Sequence, residues 1–111
     1  MLDWITSVAD SPKPSDVYSM SYGVVEYMIS KSYADAFNVE AIKLGVMGST
    51  IVASSGDDGA LSYLATNISY CGYVPQFPAS SPYVVTVGAT NVRAEISLFR
   101  CLKNIIMAVL S

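Results

Sequence analysis

The apolar positions fall into segments whose spacing alternates between that of a helix and that of a strand. Leu2, Ile5 and Val8 recur at helical intervals with Trp4 and Ala9 beside them, which predicts the end of a helix over residues 2–9. Ser11-Pro12-Lys13-Pro14-Ser15 ends it, because each proline removes a backbone donor and forbids continuation of the helix. Asp16 to Tyr22, with Val17, Tyr18, Met20 and Tyr22, is a short apolar run suited to a buried strand that Gly23 closes. From Glu26 to Leu44 the period returns to that of a helix. Ile29, Tyr33, Ala36, Phe37, Ala41 and Leu44 share one broad face, with Lys31, Asp35 and Lys43 mostly off it. Gly45 and Gly48 supply stop signals.

Ser49 to Ser54 is a second buried strand by composition, and Tyr83 to Gly88 a third. Strand, helix and strand joined by short links predict a right-handed parallel crossover. Residues 60–82 show no sustained period and hold Gly72, Pro75, Pro78 and Pro82, which predicts a long surface loop. After Asn91 the texture changes, and Leu98, Leu102, Ile105, Ile106 and Val109 would line one face of a helix.

A chain of 111 residues is one domain or less. Its apolar fraction of 52% against 14% charged residues suits an interior slice of a larger α/β protein better than a free-standing domain. The mean hydropathy of +0.43 points the same way. Net charge is −3, unevenly spread: eight acids and three bases in residues 1–91, and three bases against one acid in residues 92–111. No basic stripe crosses the body of the chain, so nucleic acid has no electrostatic footing there. The longest apolar run of the tail, Ile105 to Leu110, is far too short to span a bilayer. The start, Met1-Leu2-Asp3-Trp4, shows no signal-peptide pattern.

Cys71 and Cys101 have no second ligand pair near them, so a zinc site is unsupported. They could pair with each other, pair elsewhere, or stay free. Asn67-Ile68-Ser69 is a glycosylation sequon, meaningful in a secreted protein. Histidine is absent, which removes the commonest general base and any Ser-His-Asp triad built within the chain.

In an open parallel sheet, ligands are met at the carboxyl ends of the strands. Ser21-Tyr22-Gly23 follows the first strand, and Ser55-Gly56-Asp57 the second. Small residues there let a substrate backbone approach and hydrogen-bond along the edge. Asp and Gly are equally the residues of an ordinary turn or helix cap, so spacing alone leaves both readings open.

The words of the sequence are more specific. Ser19-Met20-Ser21-Tyr22-Gly23-Val24-Val25-Glu26 resembles the S-x-S-Y-G-x-x-E segment of the sedolisin (serine-carboxyl) peptidases. Leu44 to Gly48, followed by Ile51 to Ala60 with its core Ser54-Ser55-Gly56-Asp57-Asp58-Gly59, is similar to that family's helix end, strand and S-S-G-D-x-G-A loop. Phe77-Pro78-Ala79-Ser80-Ser81-Pro82-Tyr83 and the strand to Thr90 resemble its F-P-A-S-S-P-Y-V-x-x-V-G-G-T stretch, with Ala89 for the second glycine of V-G-G-T. Three such motifs in order over residues 1–90 make a specific match.

The resemblance implies an α/β fold: a piece of a subtilisin-like, mostly parallel three-layer sheet with flanking helices. It implies a partial peptidase domain over residues 1–90 and a divergent tail over 91–111. The family hydrolyses peptide bonds in acid with a serine nucleophile and a Glu/Asp pair in place of histidine, as endopeptidases or tripeptidyl peptidases. By motif, Asp57 would be the oxyanion-hole donor, a role that requires its protonated form. The backbone of Ser21, Tyr22 and Gly23 would hold the substrate chain, and Ser54, Ser55 and Gly56 would line the specificity pocket. The partner implied is a peptide or protein substrate, with no nucleic acid and no membrane span. No S-G-T-S serine motif, Glu/Asp pair four apart on a helix, or calcium-binding acids occur here, so the chain is expected to be one part of a longer enzyme, inactive alone and without a cofactor of its own. Secretion or lysosomal delivery is the family's usual destination. The alternative from another class is a non-catalytic peptide-binding or interaction module on the same fold.

Overall fold

A computed structural model describes residues 1–58 and 73–89. In chain order these form α1 (Leu2–Ala9), β1 (Val17–Met20), β2 (Val24–Val25), a 3-10 turn (Glu26–Met28), α2 (Lys31–Val46), β3 (Thr50–Ser54), β4 (Gln76–Phe77) and β5 (Val85–Val87). The three apolar runs pair as one parallel sheet in the order β1-β3-β5. β2 and β4 form a separate antiparallel ribbon, with Val24 opposite Phe77 and Val25 opposite Gln76.

Register decides which side chains share a face, because successive residues of a strand alternate sides. Tyr18 lies opposite Ile51, and Met20 opposite Ala53, which in turn faces Thr86. This set meets the core: Ile5, Ala9, Phe37, Ala41, Leu44, Ile51 and Phe77 cluster, with Tyr18, Met20 and Val84 packed against them. Both helices and the chain after Phe77 therefore lie on one side of the sheet. The Phe37 and Phe77 rings meet edge to face with centroids 5.0 Å apart, and Trp4 meets Tyr18 similarly at 5.7 Å. The opposite set, Val17, Ser19, Val52, Val85, Ser54 and Val87, faces away, with Val17, Val85 and Val87 at 60%, 52% and 55% exposure. Among the described residues only one helical layer covers the sheet.

α1 has the predicted bounds, whereas α2 differs from expectation at both ends. Its start is fixed by Ser30, whose backbone is extended and whose hydroxyl accepts a hydrogen bond from the Tyr33 amide at 3.2 Å. Residues 26–28 form the 3-10 turn instead of the first helical turn, and the Glu26 amide donates to the Pro75 carbonyl at 3.0 Å. Removing the cap with Ser30→Ala is expected to destabilise the fold by about 1 kcal/mol, read as a lower urea midpoint with unchanged slope. At the other end α2 continues through Gly45 to Val46. Gly48, at φ +89°, closes it, with the Ser49 amide donating to the Leu44 carbonyl and the Gly48 amide to that of Gly45. This is the double-bonded left-handed stop that a glycine makes without Cβ strain.

The proline-broken link is fastened to the start of β3. Buried Ser49 donates its hydroxyl to the Ser15 carbonyl at 2.8 Å, and the Thr50 amide donates to the Asp16 carbonyl at 2.8 Å. Around the C-terminal end of α1, the Lys43 ammonium is held above its ordinary pKa by its hydrogen bond to Glu40, with the Asp10 charge adding to the effect. The loop expected over residues 60–82 is described from residue 73 only. There the structure corrects the expectation, because β4 and the turn after it are built into the fold. Cys71, Cys101, the sequon at Asn67, Gly59 and the helix expected after Asn91 lie outside the described residues.

Candidate active-site groove

Met20 and Ala53 are paired neighbours, so β1 and β3 end side by side and their outgoing loops open onto common space. That space is a cleft of about 490 Å³, a size ordinary for ligand-holding clefts. From β1 it is lined by Ser21, Tyr22 and Gly23 and then by Val24, Val25 and Met28. From β3 it is lined by Ser54, Gly56, Asp57 and Asp58, and Gln76 of β4 completes it. Six of the seven residues singled out from the sequence thus share one cleft. Ser55 does not line it. Its amide donates to the Val87 carbonyl at 3.0 Å, and its hydroxyl lies where a Cβ on Gly88 would come within 3.2 Å. Ser55 ties the loop to β5 from behind.

Two glycines set how closely the walls approach. Gly56 has φ +101°, a conformation that disfavours any Cβ, and an added Cβ would stand 2.8 Å from the Gln76 Nε2. An added Cβ on Gly23 would stand 3.2 Å from the Gln76 Oε1 and 3.3 Å from the Phe77 carbonyl. The Gln76 carboxamide therefore lies between the two loops, against both glycines. Asp57 and Asp58, which follow Gly56 directly, are exposed at the cleft.

Gln76 was not singled out from the sequence. What holds it in place is the Phe77-Pro78-Ala79-Ser80-Ser81-Pro82-Tyr83 stretch, whose role is mechanical. Phe77 is buried against Phe37. Buried Ser81 donates to the Asn38 side-chain oxygen at 2.6 Å, locking the turn onto α2. Thr86 donates to the Ala79 carbonyl at 2.6 Å, and the Ser80 amide to the Gln76 carbonyl at 2.8 Å. Among the described residues no three His, Cys, Asp or Glu side chains gather as metal ligands, and no helix is long and apolar enough to cross a membrane.

The parallel sheet with a groove at its carboxyl ends agrees with what similarity to known proteins shows. The chain belongs to the subtilase family of serine-type peptidases, whose family model matches residues 1–103. Within that family the similarity is to tripeptidyl-peptidases, in keeping with the sedolisin motifs. The chain is 36% identical over 90 residues to tripeptidyl-peptidase 1 of Homo sapiens, covering 81% of this chain and 16% of that protein. With tripeptidyl-peptidase 1 of Dictyostelium discoideum it shares 40% over 87 residues, 78% of this chain and 14% of the relative. With tripeptidyl-peptidase SED1 of Arthroderma otae it shares 38% over 98 residues, 75% of this chain and 14% of the relative. The chain therefore spans less than one-fifth of the length of these relatives.

Proposed function

We propose that this segment supplies the substrate groove and the oxyanion donor of a serine peptidase that acts on peptides in acid. The observation that carries the reading is the placement of Asp57 and Gly23 on facing loops of one cleft, at the ends of two adjacent parallel strands. A peptide laid along Ser21 to Gly23 would present its carbonyl toward the Asp57 side. When a nucleophile attacks that carbonyl, negative charge develops on its oxygen, and a hydrogen-bond donor placed there lowers the barrier. A carboxyl donates only when protonated, so the stabilisation increases as pH falls. The serine that attacks and the acid–base pair that activates it belong, on this reading, to sequence beyond these 111 residues. The secreted or lysosomal setting implied by the resemblance fits an acid-dependent donor.

Asp57→Asn tests the reading in a polypeptide that joins this segment to its serine nucleophile. The amide donates at every pH, so the part of the acid activation due to residue 57 is expected to vanish while the fold is kept. The measurement is kcat/KM across the acid to neutral range with a short peptide substrate. An unchanged pH profile rejects the role. On the chain itself, titration with a short unblocked peptide is expected to move the amide NMR signals of Tyr22, Gly23, Gly56 and Asp57 without any cleavage. Shifts confined to other residues would reject the groove.

A further inference from the structure

Among the described residues that line the cleft, Gln76 alone comes from β4 rather than from the chain that follows β1 or β3. Its half-buried carboxamide lies where both walls lack a side chain. A Cβ built on Gly56 would stand 2.8 Å from Nε2, 2.9 Å from Cδ and 3.1 Å from Oε1, and one built on Gly23 would stand 3.2 Å from the same Oε1. The room that two glycines leave between facing loops is thus taken by one side chain. Its backbone is fixed. Gln76 is paired with Val25 in the ribbon, its carbonyl accepts from the Ser80 amide at 2.8 Å, and Phe77 beside it is buried in the core. Space for a larger guest between the loops has to come from the carboxamide itself.

We infer that Gln76 sets the size of the substrate side chain that enters between the Gly23 and Gly56 loops, selecting chains of alanine or serine size over aromatic ones. The inference rests on the peptide-groove reading given above. An extended peptide laid along Ser21 to Gly23 sends successive side chains to opposite sides, so one of them points across the cleft and meets the carboxamide. Packed groups tolerate little overlap. A methyl or hydroxymethyl group is short enough to stop before the carboxamide, whereas a ring has to push it off both glycines. A ring would also cover the amide nitrogen and oxygen without offering either a hydrogen bond, and that burial is unfavourable. Size selection thereby resides in a residue that is neither the nucleophile nor the oxyanion donor.

The test titrates the full chain with trialanine and with tripeptides in which phenylalanine replaces each alanine in turn, following the amide NMR signals of Tyr22, Gly23 and Gly56. In Gln76→Ala, the affinity of one phenylalanine peptide relative to trialanine is expected to rise severalfold over its value in the unaltered chain, while the other ratios stay as they were. Gln76→Ser, small but polar, is expected to give the same rise. Gln76→Met, which keeps the length without the amide, is expected to give none. If trialanine moves the signals but no ratio changes in the alanine and serine variants, or all change alike, the inference is overturned and the groove stands. A rise in Gln76→Met as large as in Gln76→Ala also overturns it, because occupied volume would then not be what Gln76 contributes. If no peptide moves these signals in the unaltered chain, the groove reading and this inference fall together.

Discussion

Phe77→Ala is expected to remove about 3–5 kcal/mol of folding free energy, the range for truncating a buried aromatic. Phe77 is 1% exposed and Phe37 is fully buried, and their rings touch edge to face, so truncation opens a void in the core cluster against the Phe37 ring. Because a domain holds only about 5–15 kcal/mol in all, the variant is expected to be largely unfolded at physiological temperature. Phe77→Leu, which keeps most of the volume, should cost far less. Urea unfolding of the three proteins checks the order. A change below about 1 kcal/mol for the alanine variant, small beside every value in that range, would show that Phe77 is not a core residue. The groove feels the same change, because Phe77 anchors the ribbon that carries Gln76.

Gly56→Ala is expected to cost about 1–2 kcal/mol, chiefly from the backbone, with a smaller, separable part from the side chain it meets. At φ +101° the backbone of any L-residue is strained, by roughly 1–2 kcal/mol. The new methyl would also stand 2.8 Å from the Gln76 Nε2, the far end of a flexible side chain, which has to swing aside and adds a smaller penalty. Adding Gln76→Ala should restore the second part and leave the first. The double-mutant cycle measures this as a favourable coupling between positions 56 and 76. Independent, additive effects would mean that the carboxamide does not rest on Gly56. Binding of a short peptide should weaken in Gly56→Ala and recover in part in the pair, since the carboxamide otherwise has to swing into the cleft.

Much of this architecture is legible in the sequence. The apolar runs at Val17, Ile51 and Val85 and the helical spacing from Ile29 to Leu44 mark the strands and the helix between them, although of the three strands expected to be buried only β3 holds buried residues. The start of α2 was misplaced because Ile29 fits a helical stripe equally well, while the local bond from Tyr33 to Ser30 decides the matter. β4 escaped notice because two residues cannot show a period, and prolines on either side read as a turn. Gln76 escaped with it. Its position depends on Gly23 and Gly56, fifty-three and twenty residues away, and on a ribbon pairing that no local pattern encodes. Ser55 reads from its motif as a pocket residue, but its amide bonds the Val87 carbonyl and its hydroxyl lies beside Gly88, just past β5. The resemblance gathered two loops that share one cleft.

The tether at Ser55 gives the outermost strand a hold on the acid. Its amide is fixed to Val87 and its side chain rests against Gly88, and the proposed donor comes only two residues later. A methyl group at position 88 would stand 3.2 Å from the Ser55 hydroxyl, outside the groove, so a side chain there is first met by rotation of that hydroxyl and only then felt in the loop that carries Asp57.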